Sequence, residues 1–179
     1  SFQTEFAWFI NGETNVKRFR DAGVKIWDAW ADEDGELGPV YGYQARNWNG
    51  EGTDQIEAVI NSISKNPDGR RHIINLWNVS QLDEMNLPPC YPYMQFFVAG
   101  DKLHMKAIMR SADVFLGVPY DMALFSQILL YIAKATGLTA SKVSLTMVDA
   151  HIYKNQLPAI VKYLRQPIKN LPEYGWSCK

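Results

Sequence analysis

The sequence predicts an α+β fold, because strands follow one another in the middle of the chain while helices lie around them. Residues 93–98 and 103–108 have the composition of strands, and Ala99-Gly100-Asp101-Lys102 between them predicts a hairpin turn. The run from Met122 to Thr136, rich in Leu, Ile and Ala, predicts the longest helix, which Gly137 ends. Hairpin and helix together favour a sheet packed by helices.

The other predicted elements extend this pattern along the chain. Helices are predicted over residues 2–10, 15–23 and 54–65, and further strands over 71–77 and 142–148. In the third of these helices the apolar residues share one face, and Asn66-Pro67-Asp68-Gly69 ends it. Thr14 or Asn15 can cap the second helix.

Composition restricts the class of protein. The chain has 179 residues, 47% hydrophobic and 13% aromatic, which suits one packed domain. Its net charge of −1 argues against binding to a nucleic-acid polymer. Two cysteines are too few for a disulfide framework, so a reduced, cytoplasmic setting is expected. No apolar run reaches the roughly 20 residues of a membrane span.

Cys90 is the predicted nucleophile. It lies in Leu-Pro-Pro-Cys and is followed by three polar clusters, at residues 110–113, 116–121 and 149–153. A thiol can attack, an arginine can lower its pKa or hold a phosphate, and a carboxylate can bind a polar ring. The spacing matches no zinc pattern, so no metal is expected. The pattern predicts covalent catalysis on an anionic substrate; the alternative is a buried, inert cysteine, the role expected of Cys178.

The order of these motifs resembles the thymidylate synthase family of folate-dependent enzymes that alkylate pyrimidines at C5. The resemblance covers nearly the whole chain. Besides Cys90 and the three clusters, it rests on four blocks, at residues 5–15, 26–31, 37–46 and the pair Arg70-Arg71. It implies a large mixed β-sheet packed by helices, with one sheet face forming a homodimer interface. Residues 1–179 are expected to form a single catalytic domain that lacks the family's N-terminal and C-terminal segments.

The resemblance implies a substrate site for a pyrimidine nucleoside monophosphate. Guanidinium groups give bidentate donors to phosphate, and the family positions are Arg70, Arg71, Arg110 and Ser111. The Arg70-Arg71 pair is expected to act across the dimer interface. His151 and Tyr153, two apart in an extended segment, are expected at the sugar 3′-OH. His72 is expected at the surface, and His104 has no assigned role.

The resemblance also implies that 5,10-methylenetetrahydrofolate is the co-substrate. Trp27, Trp30 and Asp113 match positions around its pterin, although two tryptophans three residues apart also suit core packing. Glu5 and Tyr41 match positions of proton relays near the reacting ring. Glu5 lies in an apolar stretch, where a buried carboxylate is costly without a role.

Asp121 is predicted to select the base. Thymidylate synthases carry asparagine here, whose amide donates to O4 of uracil and accepts from N3–H. A protonated Asp121 would donate to cytosine N3 and accept from the 4-amino group. An aspartate here is typical of the deoxycytidylate hydroxymethylase branch; the alternative is a neutral replacement in a uracil enzyme.

The predicted function is therefore 5-hydroxymethylation of dCMP, with water attacking the exocyclic methylene. The predicted catalytic residues are Cys90, Glu5, Tyr41, Arg110 and Asp121. A thymidylate synthase, a dCMP methyltransferase and a silent nucleotide-binding paralogue remain alternatives, as does a ribonucleotide substrate. Further departures from thymidylate synthases are Tyr91 for a histidine, Met109 for a glutamine, and Met147-Val148 for a glycine pair. None of them predicts whether water or hydride attacks.

Overall fold

The structure, a computed structural model, describes residues 2–167, so the expectation for Cys178 lies outside the described residues. The helices are α1 Phe2–Ile10, α2 Lys17–Asp21, α3 Gly42–Arg46, α4 Gln55–Lys65, α5 Gly117–Thr136 and α6 Leu157–Leu164. The strands are β1 Ile73–Asn75, β2 Tyr93–Ala99, β3 Lys102–Met109, β4 Ala112–Asp113, β5 Thr139–Met147 and β6 Ala150–His151. The predicted α+β class is confirmed.

The sheet is mixed. The described residues form a four-stranded sheet in the order β1-β2-β3-β5, with antiparallel pairs β1–β2 and β2–β3 and a parallel pair β3–β5. A second, two-stranded sheet pairs β4 with β6 in parallel. Helix α5 connects β3 to β5 and is long enough for the crossover that a parallel pair of strands requires. None of the helices described over residues 2–167 is long and apolar enough to cross a membrane.

Alternation along the central strands places one sheet face in the core. Met94, Phe96 and Val98 of β2 are buried, and so are Leu103, Met105, Ala107 and Met109 of β3. Helix α5 covers this face with Leu124, Phe125, Ile128 and Ile132. On the opposite face Phe97 is 61% exposed, and its ring lies 5.8 Å from that of its cross-strand partner His104.

Several element boundaries differ from the sequence prediction. Helix α2 begins at Lys17, because Asn15 uses its side-chain oxygen to accept from the Lys17 N–H before the first turn. Strand β1 covers only Ile73–Asn75 of the predicted 71–77. Helix α5 begins five residues early, at Gly117, because Pro119 fits the first turn of a helix. As a result Asp121 lies on this helix.

The expectation that His72 lies at the surface is wrong. Its side chain is fully buried, and Nδ1 lies 3.0 Å from the Ser62 hydroxyl on α4. Its Nε2 has no hydrogen-bond partner among the described residues. The apolar face of α4 packs over the start of β1, and His72 is buried beneath it.

Five aromatic side chains, which we call the aromatic column, run from the core to the Cys90 loop. The ring centroids are 5.8 Å apart for Trp8–Trp27, 5.4 Å for Trp27–Tyr41, 4.8 Å for Tyr41–Tyr91 and 4.9 Å for Tyr91–Phe125. All five are at most 8% exposed. Such stacked, tilted and edge contacts stabilise aromatic pairs beyond their burial, so the column fixes the position of Tyr41.

A glycine allows the segment that carries Tyr41 to approach helix α1. A Cβ added at Gly42 would collide with the carbonyl oxygen of Phe9 and lie 2.8 Å from its Cα. The backbone of α3 therefore packs directly on the end of α1, and no side chain fits between them.

We expect Gly42→Ala to lower the free energy of unfolding by about 3 kcal/mol or more, because neither backbone can yield. Urea denaturation of the purified protein measures this. Gly23→Ala is the matched control, since its Cβ would meet nothing within 4 Å and its φ of +69° costs only about 1 kcal/mol. Equal losses in the two variants would contradict the close packing.

Candidate active site

The backbone of Cys90 belongs to an extension of the central sheet. The Arg110 N–H donates to the Cys90 carbonyl at 2.8 Å, beyond the last paired residues of β2 and β3, Tyr93 and Ile108. On the other side, the Leu76 N–H donates to the Pro92 carbonyl at 2.8 Å. Cys90 is a free, partly buried cysteine. The nucleophile predicted from sequence is thus held between the ends of three strands.

The Arg110 side chain is hydrogen-bonded to the loop that carries Cys90. Its Nε donates to the Pro89 carbonyl at 2.9 Å and its Nη2 to the Pro88 carbonyl at 2.8 Å. The guanidinium carbon lies 5.4 Å from the centre of the Trp77 ring, a cation–π distance. Among residues 2–167 no carboxylate pairs with Arg110. Its exposed, unneutralised charge and its remaining N–H groups are available to an anion.

Tyr41 contacts Cys90 from a strained backbone. Its hydroxyl accepts a hydrogen bond from the Cys90 N–H at 3.1 Å. Burial first, and then the charge of Cys90, raise the pKa of the Tyr41 phenol well above its ordinary value. Its φ of 41° is unusual for a bulky residue and costs on the order of 1–3 kcal/mol. Strain of this kind persists where the surrounding packing imposes it, and here the aromatic column does so.

Glu5 presents a buried carboxyl from helix α1. Its side chain is 8% exposed, and burial raises its pKa to about 7, while the Trp27 side chain nearby lowers it. The Trp27 indole N–H nevertheless makes no hydrogen bond of acceptable geometry among the described residues. Glu5 can therefore hold or release a proton near neutral pH, as a proton relay must.

The two predicted cofactor tryptophans differ in their surroundings. Trp27 packs in the aromatic column, so the core-packing alternative describes its ring, but its buried Nε1 lacks a partner. Trp30 is 43% exposed, and its ring lies 5.9 Å from that of Trp27. An unpaired buried donor beside an exposed indole face fits a flat, polar heterocycle such as a pterin.

Asp121 lies on helix α5 with its carboxyl directed toward other acids. It is partly buried, and burial, followed by the charges of Glu5 and Asp113, raises its pKa to about 7. All three influences favour the protonated form. The carboxyl predicted to read the base is therefore neutral over much of the range in which an ordinary aspartate is ionised.

The two-stranded sheet brings the later motifs together. Asp113 of β4 pairs in register with His151 of β6, and the Ala112 N–H donates to the Asp149 carbonyl at 2.8 Å. The rings of His151 and Tyr153 meet edge to face at 5.1 Å, on one side of the segment as predicted. His151 Nδ1 also lies 3.2 Å from Asp149 Oδ1.

The Asp113 carboxylate has one acceptor position to spare. Its Oδ1 accepts from the Phe115 and Leu116 N–H groups, both at 3.1 Å, and its Oδ2 accepts from Gln156 Nε2 at 2.8 Å. A carboxylate has about four lone-pair positions. Asp113 thus orders the turn that leads into helix α5 and can still receive one more donor, such as a pterin amino group.

Arg70 and Arg71 lie far from Cys90 in the same chain. The His72 carbonyl accepts from the Phe96 N–H, which places the exposed Arg71 beside the far end of β2. Six residues of β2 and its approach separate Phe97 from Tyr91, on the order of 20 Å at about 3.3 Å per residue. Within one chain Arg71 is therefore distant from Cys90, whereas Arg110 and Tyr41 contact the Cys90 backbone.

Sequence reasoning missed two residues that support the site and gave a third no packing role. Trp77 lies against Arg110, and Gln156 holds Asp113. Tyr91, noted from sequence only as a departure from a histidine, fills the space between Tyr41 and Phe125. An aromatic residue beside a strand is ordinary core, so Trp77 gave no distinguishing signal. Gln156 lies 43 residues from its partner, a distance over which no local pattern operates.

We expect Glu5→Gln to stabilise the protein more as the pH rises. The folded pKa of about 7 exceeds the unfolded value of 4.5, so the contribution of Glu5 to stability is complete below 4.5 and lost as the pH rises through 7. The free energy of unfolding of the variant relative to the parent should rise by about 2–3 kcal/mol between pH 5 and 8.5. The exposed Glu33→Gln is the control in parallel denaturant titrations. A pH-independent difference would show that Glu5 is not buried as described.

A comparison with known families supplies independent evidence. The family model described as thymidylate synthase matches residues 1–178, nearly the whole chain. That match includes Cys90, Arg110 and the cluster that contains His151. Its extent shows that the chain belongs to the thymidylate synthase family.

Proposed function

We propose that this protein is a folate-dependent deoxycytidylate 5-hydroxymethylase. The family's chemistry is one-carbon transfer from methylenetetrahydrofolate to a pyrimidine nucleotide. The observation that carries the finer assignment is the identity and position of Asp121, a partly buried carboxyl on α5 whose pKa is raised to about 7 by burial and by the acidic neighbours Glu5 and Asp113.

The hydrogen bonds that Asp121 can form with each base bear on the choice of substrate. A protonated carboxyl offers one donor and one acceptor side by side, which matches cytosine N3 and its 4-amino group. Uracil presents N3–H and O4, and an ionised Asp121 would leave O4 without a donor. A buried carbonyl without a donor costs about 1–3 kcal/mol.

A protonated Asp121 could match either base by exchanging the roles of its two oxygens, so its resting hydrogen bonds do not choose between them. The choice comes when a thiolate adds to C6 and negative charge develops on cytosine N3, because a carboxylic acid bonded to N3 can give up its proton there and an amide cannot. Asp121 in place of asparagine therefore favours dCMP.

The chain's residues then serve the covalent steps. The Cys90 thiolate adds to C6 of cytosine, and the electron pair moves to C5, which becomes the attacking carbon. The folate supplies a one-carbon unit at the oxidation level of formaldehyde. After bond formation at C5 the proton on C5 is lost and tetrahydrofolate departs. Water then adds to the exocyclic methylene, and loss of the Cys90 thiolate restores the ring, giving 5-hydroxymethyl-dCMP.

Glu5 and Tyr41 are the proposed proton carriers. Glu5 has its pKa raised to about 7 by burial and can both accept and give a proton at neutral pH. Tyr41 lies within hydrogen-bond distance of the Cys90 backbone and beside its thiol, with a pKa far above neutral. It therefore acts as a neutral donor. Arg110 and Ser111 hold the phosphate, and His151 and Tyr153 hold the sugar.

We further propose a homodimer in which the open sheet face is the interface. Phe97 is 61% exposed on this face. Arg70 and Arg71 are both exposed, and Arg71 lies beside the far end of β2, on the order of 20 Å from the Cys90 loop of its own chain. Packing two sheets face to face would let this pair supply the phosphate site of the partner.

The first test is tritium release from 5-tritiated dCMP and dUMP, each with methylenetetrahydrofolate. We expect release from dCMP, with 5-hydroxymethyl-dCMP and tetrahydrofolate as products by mass spectrometry. Asp121→Asn should lower kcat/KM for dCMP by roughly a hundredfold or more and raise that for dUMP, because the amide matches uracil. Release from dUMP alone would identify a thymidylate synthase, and 5-methyl-dCMP with dihydrofolate would identify a methyltransferase.

The second test is complementation between two inactive variants. Cys90→Ser and the double variant Arg70→Ala/Arg71→Ala, mixed in equal amounts and allowed to exchange, should regain about a quarter of the parent activity. Half of the dimers are mixed, and each mixed dimer has one complete site.

The matched control mixes Cys90→Ser with Arg110→Ala. Arg110 acts within its own chain, so this mixture should stay inactive. Failure of the first mixture to regain activity, with exchange verified by mass spectrometry, would contradict a phosphate site shared between subunits.

A further inference from the structure

Three side-chain amides, which we call the amide cluster, join helix α3 to the segment that leads from β1 to Cys90. They are Gln44, Asn78 and Gln81, of which Gln44 is fully buried and Asn78 is 4% exposed. Gln44 Nε2 donates to the Pro39 carbonyl at 2.7 Å and to Gln81 Oε1 at 2.9 Å. Asn78 Nδ2 donates to Gln44 Oε1 at 3.1 Å and to Gln81 Oε1 at 3.0 Å. The cluster thus holds the two segments together by directional bonds.

Asn78 also fixes the chain directly after Trp77. Its Oδ1 accepts from the Ser80 N–H at 3.3 Å and from the Ser80 hydroxyl at 2.7 Å, so Asn78 caps the short 3₁₀ helix Val79–Glu84. On the other side, the Trp77 N–H donates to the Asn75 side-chain oxygen at 3.1 Å. The backbone that carries Trp77 is therefore held both before and after its side chain.

The ring of Trp77 in turn lies against Arg110. The guanidinium carbon is over the ring, 5.4 Å from its centre. One edge of the guanidinium donates to the carbonyls of Pro88 and Pro89. Because the donors of a guanidinium form a rigid planar fork, the ring and the two carbonyls together set the direction of its remaining N–H groups.

We propose that Asn78 is a positioning residue, which acts through the amide cluster and Trp77 to hold the Arg110 guanidinium in the orientation that receives the oxygens of an anion. This inference rests on the proposed function, in which Arg110 is a phosphate ligand. Two observations carry it. Asn78 is bonded to both other amides of the cluster and is almost fully buried, and its neighbour Trp77 is in direct contact with Arg110. Hydrogen bonds depend on angle as well as distance, so they fix an orientation that apolar packing alone would leave free to slide.

The experiment is a double-mutant cycle of Asn78→Leu and Arg110→Ala, measured as the affinity for dCMP by isothermal titration calorimetry. Leucine is close to asparagine in size but forms no side-chain hydrogen bond. In the otherwise unchanged protein Asn78→Leu should weaken binding roughly tenfold, because misaligned donors lose much of a charge-assisted hydrogen bond. In the Arg110→Ala background the same change should alter the affinity by less than about twofold, since the group that Asn78 orients is absent.

Asn86→Leu is the matched control. Asn86 lies on the same segment before Cys90 but is exposed, and its Nδ2 donates to the Glu36 carbonyl at 3.0 Å, outside the amide cluster. This variant should keep the affinity of the parent. Should Asn78→Leu not fold by near-ultraviolet circular dichroism, Gln81→Ala replaces it, because Gln81 is only partly buried and accepts from both other amides.

A second readout separates positioning from a general loosening of the fold. Deoxycytidine has the base and sugar of dCMP but no phosphate. Asn78→Leu should weaken the binding of dCMP and leave that of deoxycytidine unchanged, whereas a loosened fold would weaken both.

The two kinds of failure are distinguishable. An equal loss of dCMP affinity with and without Arg110, or the same loss in Asn86→Leu, overturns the role of Asn78. A parent enzyme that binds and turns over dUMP alone overturns the proposed function, and the same cycle measured with dUMP then decides the role of Asn78. If Arg110→Ala binds both nucleotides as tightly as the parent, the phosphate site and the role of Asn78 are both overturned.

Discussion

The backbone hydrogen bond between the Arg110 N–H and the Cys90 carbonyl is the constraint on which the site depends. It joins Arg110, just after β3, to Cys90, just before β2, so Cys90 is held against the end of the sheet and not on a free loop. The same Arg110 then returns its side chain to the carbonyls of Pro88 and Pro89. The Cys90 loop and the Arg110 cation are therefore joined by backbone and side-chain hydrogen bonds into one structural unit.

The aromatic column connects the Cys90 loop and Arg110 to the two helices that carry the acids Glu5 and Asp121. Tyr41 belongs to the column and contacts the Cys90 backbone, and its positive φ is held by close packing of Gly42 on α1. Helix α1 also carries Glu5, and the far end of the column, Phe125, lies on the helix that carries Asp121. A shift in the column would thus move both acids relative to Cys90, which explains why bulky aromatic residues occupy every position in it.

Local patterns predicted those parts of the fold whose causes are local. The apolar face of α4, the turn before Lys102 and the left-handed Gly137 after α5 are set by neighbours within a few residues, and each was predicted. His72 was predicted at the surface because its burial depends on α4 packing across the start of β1. The start of α5 was placed too late because Pro119 was not recognised as a first-turn residue.

The candidate site likewise contains residues that local motifs predict and residues whose role depends on contacts between distant segments. Cys90, Arg110, Asp113 and His151 were predicted from motifs, and the structure brings them to neighbouring strand ends. Trp77, Gln156 and Tyr91 gain their meaning only from contacts between distant segments. The raised pKa of Asp121 is also such a property, since it arises from burial and from Glu5, 116 positions earlier in the chain. The sequence predicts Asp121, in its protonated form, as the residue that reads the base, but the burial and the acidic neighbours that favour that form are visible only in the fold.

The protonation states of Glu5 and Asp121 affect both the stability of the fold and the proposed chemistry. Glu5 and Asp121 have raised pKa values of about 7, so the folded state gains most from them while they are protonated and loses that gain as the pH rises through 7. The proton on Asp121 is the one that cytosine N3 would accept a hydrogen bond from, and binding cytosine would hold that proton in place to higher pH. Substrate and fold would then favour the same protonation state. An ionised Asp121 would both destabilise the fold and mismatch cytosine. The same proton on Asp121 is therefore required for the stability of the buried acids near Cys90 and for the match to the base.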